Sequence, residues 1–400
     1  MKQVAFKGTG NEYFNIWIVN ILLCIVTLGI YYPWAKARNR RYFYANTVYE
    51  GRNFEYHATG KQLFLGYAIG VGLLILMSVL NSVFPSSNLI TPIILFIGVP
   101  WVIWRSLKFN ARMTSFSNVR FGFDGSLGQA YFNYLLLPIL GFLAFYLPII
   151  LGFVPMFLDT EIGIPAWVKV FAPFVAILAI VLSIYVAGFT KKKITDYAIG
   201  KAKFGQGSFN TNVTSKKFIF ILLKAGLVVF AVFVLLAILV GIIFGLIMGG
   251  SMVTAMSTLN PEVMAENMAD EVNPLVGLLV PLLYLGFIAA SLFVRAYFYS
   301  RNRRYIYAHT QLDNKIDFKS TVGAKSYFWV IFSNFLITIF TLGFGRPWAK
   351  VREAKYLAQN TWIEATDTDI DSYLTQKQAE QSAIGEEVGD VFDVDVGIGL

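Results

Sequence analysis

The chain has 400 residues, of which 56% are hydrophobic, 16% aromatic and only 14% charged. Soluble domains carry about 25% charged residues, so this composition excludes an ordinary soluble protein and predicts a polytopic membrane protein. The formal charge of +9 does not indicate a nucleic-acid partner, because Lys and Arg in a membrane protein report topology. The single cysteine, Cys24, excludes a disulfide framework.

We predict an all-α polytopic membrane fold with eight apolar segments. Six are long enough to cross the membrane as helices, and two, the first and the last, are re-entrant or spanning. The eight segments lie near 13–32, 63–84, 88–108, 131–157, 167–189, 218–249, 274–298 and 327–345. The first is retained, because no small-residue cleavage site follows it. We assign residues 1–363 to one membrane domain.

The hydrophilic stretches alternate in charge along the chain. Those at 33–62, 105–128, 190–217 and 295–326 are rich in Lys and Arg, whereas 81–91, 158–166 and 250–273 contain neither. Short loops rich in Lys and Arg remain in the cytoplasm. We therefore predict a multi-pass protein whose basic loops are cytoplasmic.

The end of the chain is acidic. Residues 364–400 contain ten acidic residues and one Lys, a net charge of −9, so the remainder carries +18, since 18 − 9 = 9. Polar, strongly charged segments with few aromatic residues do not form a core. We predict a disordered tail.

Two kinds of internal repeat are present. Residues 13–47 match 327–361 without gaps at an offset of 314, with sixteen of thirty-five positions identical, and "RNRRYFYANT" at 38–47 returns as "RNRRYIYAHT" at 301–310. After each basic segment, turn signals such as "EGRN", "SNVR" and "DNK" separate short alternating stretches, a pattern typical of β-hairpins. We predict four short cytoplasmic hairpins, which either share a sheet or lie separately against the helix ends. The N-terminal "VAFKGTGNEYF" supplies half of a fifth.

The repeated segments set up a conflict of topology. If 13–32 and 327–345 both span the membrane, the basic residues after the second copy face outward, against the positive-inside rule. If both segments dip in and return, both copies face the cytoplasm. We favour the re-entrant arrangement, although irregular backbone at membrane depth then has to be buried in protein.

Basic and aromatic residues recur after these segments. Proline and aromatic residues beside Lys and Arg are typical of an interfacial helix anchored at the membrane surface, and the same residue types can bind anionic lipid head groups. Both interpretations stay open. The candidate head-group residues are Trp34, Lys36, Arg38, Arg40, Arg41, Arg301, Arg303, Arg304, Trp348, Lys350 and Arg352.

Polar residues within the apolar segments are few. Asn20 and Asn334, one in each copy, either line a polar path or hydrogen-bond a neighbouring helix. The G-x-x-x-G spacings of Gly241, Gly245 and Gly249, and of Gly66 with Gly70, predict close helix packing, within the chain or between copies of a homo-oligomer.

The sequence contains no Gly-rich phosphate loop, no Ser-His-Asp order and no Cys/His/carboxylate cluster that completes a metal site. We therefore predict a protein that is not an enzyme and needs neither cofactor nor metal.

The motifs "F-x-G-T-G", "TLG-I-Y-x-PWAK-x-R" and "RRY-x-Y-x-N-T", followed by "F-x-Y-x-x-TG", resemble the YjgN-like family of bacterial inner-membrane proteins, whose domain has no known function. The resemblance covers nearly the whole chain and implies a location in the inner membrane. We expect a basic cytoplasmic face that binds anionic lipid or partner proteins. The alternative is a passive or facilitative transporter or channel for a small solute.

Overall fold

The computed structural model describes residues 1–84, 87–157, 166–258 and 274–365. Most of these residues are helical. In chain order the helices are α1 Gly10–Val26, α2 Tyr32–Ala45, α3 Gly60–Val83, α4 Ser87–Met113, α5 Leu127–Tyr131, α6 Leu137–Phe157, α7 Ala166–Ala198, α8 Ser215–Thr258, α9 Pro274–Tyr307, α10 Ala324–Phe340 and α11 Arg346–Gln359. A π-helical turn, Phe132–Leu136, joins α5 to α6.

Short strands lie between the helices. They are β1 Lys2–Gln3, β2 Ala5–Phe6, β3 Thr47–Tyr49, β4 Arg52–Tyr56, β5 Thr114–Phe116, β6 Val119–Phe123, β7 Ala202–Phe204, β8 Gly207–Thr211, β9 Thr310–Leu312, β10 Ile316–Ser320 and β11 Thr361–Glu364. The described strands form one eleven-stranded sheet. Helices dominate the described residues, as predicted, and each strand contributes only two to five residues.

Among the described residues, six helices are long and apolar enough to cross a membrane: Gly60–Val83, Asn88–Met113, Leu127–Ile150, Phe171–Ala198, Ser215–Ile242 and Pro281–Tyr307. These are the six spans expected from the sequence. Several helices extend beyond the predicted limits: α9 reaches Tyr307 instead of 298, and α8 runs from Ser215 to Thr258 instead of 218–249. Basic and polar residues continue a helix past its apolar part, so hydropathy alone underestimates its length.

The chain divides into two compact units. The first holds Met1–Phe220, Asn302–Val322 and the residues from Asn334 onward, and it contains the whole sheet. The second holds Ile221–Arg301 and Gly323–Ser333. Within the second unit, aromatic contacts join α9 to α10: Tyr299 stacks on Tyr327 at 4.9 Å between ring centroids, and Phe293 meets the edge of Phe328 at 5.5 Å.

The N-terminal segment closes the sheet. β1 pairs with β11, whereas β2, which follows after the single residue Val4, pairs with β3 at the opposite end of the strand order. The Val4 N–H donates to the Thr361 carbonyl at 2.9 Å. Residues 2–6 thus act as one strand with a neighbour on each side. All pairs are antiparallel, and the sheet is a closed ring.

The interior of the ring is apolar. Neighbouring strands lie about 4.8 Å apart, so alternate strands are separated by about 9.6 Å. The rings of Phe54 and Phe121 approach to 6.5 Å, and those of Phe209 and Phe318 to 5.9 Å, so these side chains converge on the concave face. Alternate strands fill closed barrels in layers. The even-numbered strands from β4 to β10 contribute Phe54, Phe121, Phe209 and Phe318 to this core, which also contains Val4, Tyr49, Phe116, Phe204, Leu312 and Ile363.

Each pair of neighbouring helices is connected through the ring by a similar unit. A Thr hydroxyl bonds the carbonyl four residues earlier and ends the incoming helix, as at Thr47 and Thr114. Two strands follow, joined by a turn that uses positive φ, for example Glu50 and Gly51. At α1, α3 and α5 a capping box then starts the outgoing helix and satisfies backbone N–H groups at its N-terminus. Capping boxes are built on Thr9, Thr59 and Ser126.

Two of the helix pairs are short. The helix predicted within 13–32 ends at Val26, and that within 327–345 ends at Phe340. In both cases Thr-Leu-Gly makes a tight turn, with φ of 50° and 89° at Leu28 and Gly29 and nearly the same values at Leu342 and Gly343. The chain then returns as α2 or α11, and the strands at both ends of each helical hairpin belong to the same ring.

The Trp of each "PWAK" lies on a helix that leads into a pair of strands. It packs onto the first residue of the helix that follows those strands, which is Gly60 of α3 for Trp34 and Gly10 of α1 for Trp348. A Cβ placed on Gly60 would lie 2.2 Å from Trp34, and one on Gly10 would lie 2.1 Å from Trp348. Phe64 and Phe14 contact the same indoles at ring-centroid distances of 5.2 and 5.0 Å. Only glycine leaves room for the indole at these positions.

The first prediction concerns the closure of the ring. Val4→Pro removes the N–H that donates to Thr361, because proline has no backbone donor, whereas Val4→Ala keeps it. We expect Val4→Pro to lower the free energy of unfolding by about 1–3 kcal/mol more than Val4→Ala, measured by thermal unfolding in detergent. Equal losses in the two variants would show that the backbone bond at the seam is dispensable.

The second prediction concerns the Trp–Gly contacts. Gly10→Ala and Gly60→Ala should each destabilise the protein by about 1–3 kcal/mol, the usual cost of overpacking, in the same thermal assay. Gly128→Ala is the matched control in the first turn of α5, where no atom lies within 4 Å of an added Cβ. Loss of stability in the control alone would contradict this account.

Candidate functional site: aromatic–basic pairs at the helix ends

Each helix that leads into the ring carries an aromatic residue and, four residues later, a basic one. The basic residue always lies nine residues before the first strand of the hairpin. Residues four apart are neighbours on one helix face, so each pair presents an aromatic ring beside a cation. The five aromatic–basic pairs are Trp34 with Arg38, Trp101 with Arg105, Phe189 with Lys193, Tyr297 with Arg301, and Trp348 with Arg352.

Three of the pairs make cation–π contacts. The cations of Arg105, Lys193 and Arg301 lie 5.8, 5.5 and 5.4 Å from the ring centroids of their aromatic partners. Arg38, Arg301 and Arg352 are exposed. An aromatic body beside a cation that still reaches solvent suits the boundary between membrane and water, where both residue types are enriched.

Arg40 and Arg303 occupy a second repeated position, seven residues before the strand, and both turn toward the protein. Arg40 donates to the Tyr56 hydroxyl at 3.0 Å and also contacts the amide oxygen of Asn110. Arg303 is only 6% exposed and donates to the Thr361 hydroxyl at 3.1 Å. Both side chains tie a helix to neighbouring strands or helices.

The remaining predicted residues differ in exposure. Arg41 is exposed but donates to the Ala58 carbonyl at 2.7 Å. Arg304 and Lys350 are exposed, and Lys36 is half-buried. The indole N–H of Trp348 donates to Asn11 at 3.0 Å. Arg40 and Arg303 therefore hold neighbouring elements together, whereas Arg38 and Arg41 are exposed and also bond within the fold, Arg38 by donating to the Asn20 amide oxygen at 3.5 Å.

Asn20 and Asn334 do not meet in a common contact; each bonds within its own helical hairpin. The Asn20 amide, 3% exposed, donates to Asn39 of α2 at 3.1 Å. The Asn334 amide donates to the Ala349 carbonyl of α11 at 2.9 Å. In both hairpins the Asn side chain hydrogen-bonds the first helix to the second. Polar side chains in apolar segments commonly bond a neighbouring helix in this way.

The predicted glycine faces are only partly described. Gly66 is buried, and nothing lies within 4 Å of a Cβ placed on Gly70 or Gly241. The surroundings of Gly245 and Gly249 lie outside the described side chains, so a homo-oligomeric contact there stays a prediction. In the described ranges, no group of three His, Cys, Asp or Glu side chains could hold a metal ion.

Sequence reasoning missed the pairs of α4 and α7. Trp101 with Arg105 and Phe189 with Lys193 lack the "PWAK" motif, so a search for similar letters passes over them. These pairs are identified by the number of residues between the basic side chain and the first strand of the hairpin. That number could not be counted from the sequence, because the strand boundaries are not evident in it.

Comparisons with known proteins agree with the membrane character of the fold. The family described as "Bacterial protein of unknown function (DUF898)" matches residues 1–391. "Inner membrane protein YjgN" of Salmonella typhimurium is 28% identical over 392 residues, 95% of this chain and 93% of that protein. The protein of the same name from Escherichia coli O157:H7 is 38% identical over 138 residues, 34% of each chain.

No solved structure is significantly similar to this fold. The family match extends across both compact units and every strand of the ring. The chain belongs to the DUF898 family of bacterial proteins of unknown function.

Proposed function

We propose that the chain is a non-enzymatic protein of the bacterial inner membrane whose ring lies on the cytoplasmic side, and that its aromatic–basic pairs bind the head groups of anionic lipids. The observation that carries the proposal is the recurrence of one pair at the same place in all five helices that lead into the ring. The names of the relatives support the location.

Charge supports the side of the membrane. The basic stretches flank the strands of the ring, whereas the stretches between the far ends of the long helices contain no Lys or Arg. Short loops rich in Lys and Arg stay in the cytoplasm. The anionic surface of the cytoplasmic leaflet attracts nearby Lys and Arg by about 1 kcal/mol each.

The two short helical hairpins, α1 with α2 and α10 with α11, enter the membrane and return in this proposal. A helix of 17 residues such as α1 is about 25 Å long, less than the roughly 30 Å of the hydrocarbon core. Leu28 and Leu342 at the turns are 93% and 90% exposed to their surroundings, which suits hairpin tips in lipid. Because Asn20 and Asn334 bond inside the hairpins, they support packing and not a polar path.

The head-group proposal predicts a loss of anionic lipid. The triple variant Arg38→Gln, Arg301→Gln, Arg352→Gln removes three exposed cations. At about 1 kcal/mol for each residue, we expect the retention of phosphatidylglycerol to weaken roughly fivefold per charge, measured by lipid titration and native mass spectrometry of the purified protein.

The matched control removes the same charge from the ring instead of the pairs. Arg120→Gln, Lys315→Gln and Lys319→Gln change exposed residues of β6, β10 and the turn before β10. This control should retain the lipid. Equal losses in both triple variants would reduce the effect to net charge and overturn a role for the aromatic–basic pairs.

The re-entrant hairpins predict a pattern of cysteine labelling. In a Cys24→Ser background, Leu28→Cys at a hairpin tip should resist membrane-impermeant maleimide in intact spheroplasts and after permeabilisation. Lys315→Cys at a turn of the ring should react only after permeabilisation. Labelling of Leu28→Cys in intact spheroplasts would make α1 a complete span with its end outside.

A second candidate function is passive passage of a small solute, and the closed ring favours it. Apolar constrictions can gate a pore by excluding water. Phe121 and Phe209 pack in the apolar cluster inside the ring. If the ring gates a path, Phe121→Ser with Phe209→Ser should raise solute efflux from proteoliposomes at least about tenfold above wild type. Unchanged efflux would leave these rings as packing residues only.

A further inference from the structure

A pocket of about 320 Å³ lies between the start of α5, the π-helical turn and the end of α7. Its polar lining comes from Gln129, Asn133, Lys193, Asp196 and Lys201. The pocket sits where the apolar part of two membrane-length helices ends, Leu127–Ile150 and Phe171–Ala198. That level along a span is where lipid head groups meet the protein.

The internal repeat provides a comparison for Asp196, which lies six residues before its strand. At this position the other four helices carry a basic residue: Arg41, Lys108, Arg304 and Lys355. Only the helix that lines this pocket replaces the cation by a carboxylate.

Asn133 is a second departure from the repeat, seven residues after the capping residue Ser126. The corresponding positions are Ile16, Gly66, Ile221 and Val330, none of which is polar. Asn133 is 5% exposed and lies in the π-helical turn, a feature that frequently marks functional sites. A buried polar residue, a widened helix turn and an inverted charge thus coincide in one pocket.

The lining offers both signs of charge to a ligand. The Asp196 carboxylate accepts a hydrogen bond from the Thr211 hydroxyl at 2.9 Å, which orients it while its second oxygen remains available as an acceptor. Lys193 and Lys201 supply two ammonium groups in the same pocket, and ammonium groups bind phosphate as point charges. A zwitterionic ligand would satisfy the two ammonium groups and the carboxylate at the same time.

We propose that this pocket binds the phosphoethanolamine head group of a zwitterionic phospholipid, with the phosphate toward Lys193 and Lys201 and the ammonium group toward Asp196. Phe132, which lines the pocket, and Leu136, one helical turn further on, are 41% and 45% exposed, which provides an apolar surface for the acyl chains. The proposal shares the membrane-surface location and one residue with the proposed function. Lys193 belongs to both sites, so the test leaves it unchanged.

The test compares lipid retention in the full-length protein. Wild type, Asp196→Asn and Asn133→Leu are titrated with phosphatidylethanolamine, phosphatidylcholine and phosphatidylglycerol in detergent, and bound lipid is counted by native mass spectrometry. Wild type should retain phosphatidylethanolamine in preference to phosphatidylcholine, whose methylated ammonium cannot donate to a carboxylate. Asp196→Asn keeps an acceptor for Thr211, and it should lower phosphatidylethanolamine retention about tenfold, as expected for one charge-assisted bond.

Glu55→Gln on β4 is the matched carboxylate-to-amide control and should bind like wild type. Equal retention of the three lipids by wild type, or no effect of Asp196→Asn, would overturn the proposal. Phosphatidylglycerol binding through Arg38, Arg301 and Arg352 would be unaffected by that result, so the two proposals fail separately. Competition by soluble glycerophosphoethanolamine with no retention of the bilayer lipid would overturn the lipid as the source of the head group.

Discussion

A sheet of short strands has two edges, and each edge carries N–H and C=O groups that need a partner. In this protein both edges are satisfied by the same five residues, because Lys2–Gln3 pairs with one end of the sheet and Ala5–Phe6 with the other. The rest of the structure depends on that bridge. Every helix in the described ranges begins or ends near the ring or is joined to one that does, so the positions of the helix ends follow from the closure of the sheet.

Closure also explains the composition of the strands. A ring concentrates one face of every strand into a small volume, and that face carries Phe54, Phe121, Phe209 and Phe318. The opposite face carries polar side chains such as Asn53, Arg120 and Lys319, which are exposed. Apolar burial in water is the dominant favourable term in folding. The ring can therefore form an apolar core of its own.

Local signals allowed much of this to be predicted. Hydropathy locates six helices, and the turn signals before Phe54, Phe121 and Phe318 locate strands, because both depend on residues close together in sequence. The closed ring could not be predicted in this way. Lys2 and Ile363 pair across most of the chain, and strands of two to four residues have no periodicity that would reveal their partner.

The contacts of the basic residues also could not be predicted from local sequence. From the sequence alone Arg303 resembles Arg301, and the structure separates the two by the direction of their side chains. Arg303 bonds Thr361, far along the chain, while Arg301 lies beside its own Tyr297. The identity of a residue gives its chemistry, and the ring decides whether that chemistry is directed inward or outward. The candidate pocket at Asp196 is visible only once the five units can be superposed by strand position.

The split of the fifth unit between the two ends of the chain has a consequence for biosynthesis. A ribosome makes residues 2–6 long before Thr361–Glu364, so the seam cannot close until that later strand has been synthesised. Until then, the early strand has only one neighbour. A product truncated before residue 361 would carry two open strand edges and would be open to quality control.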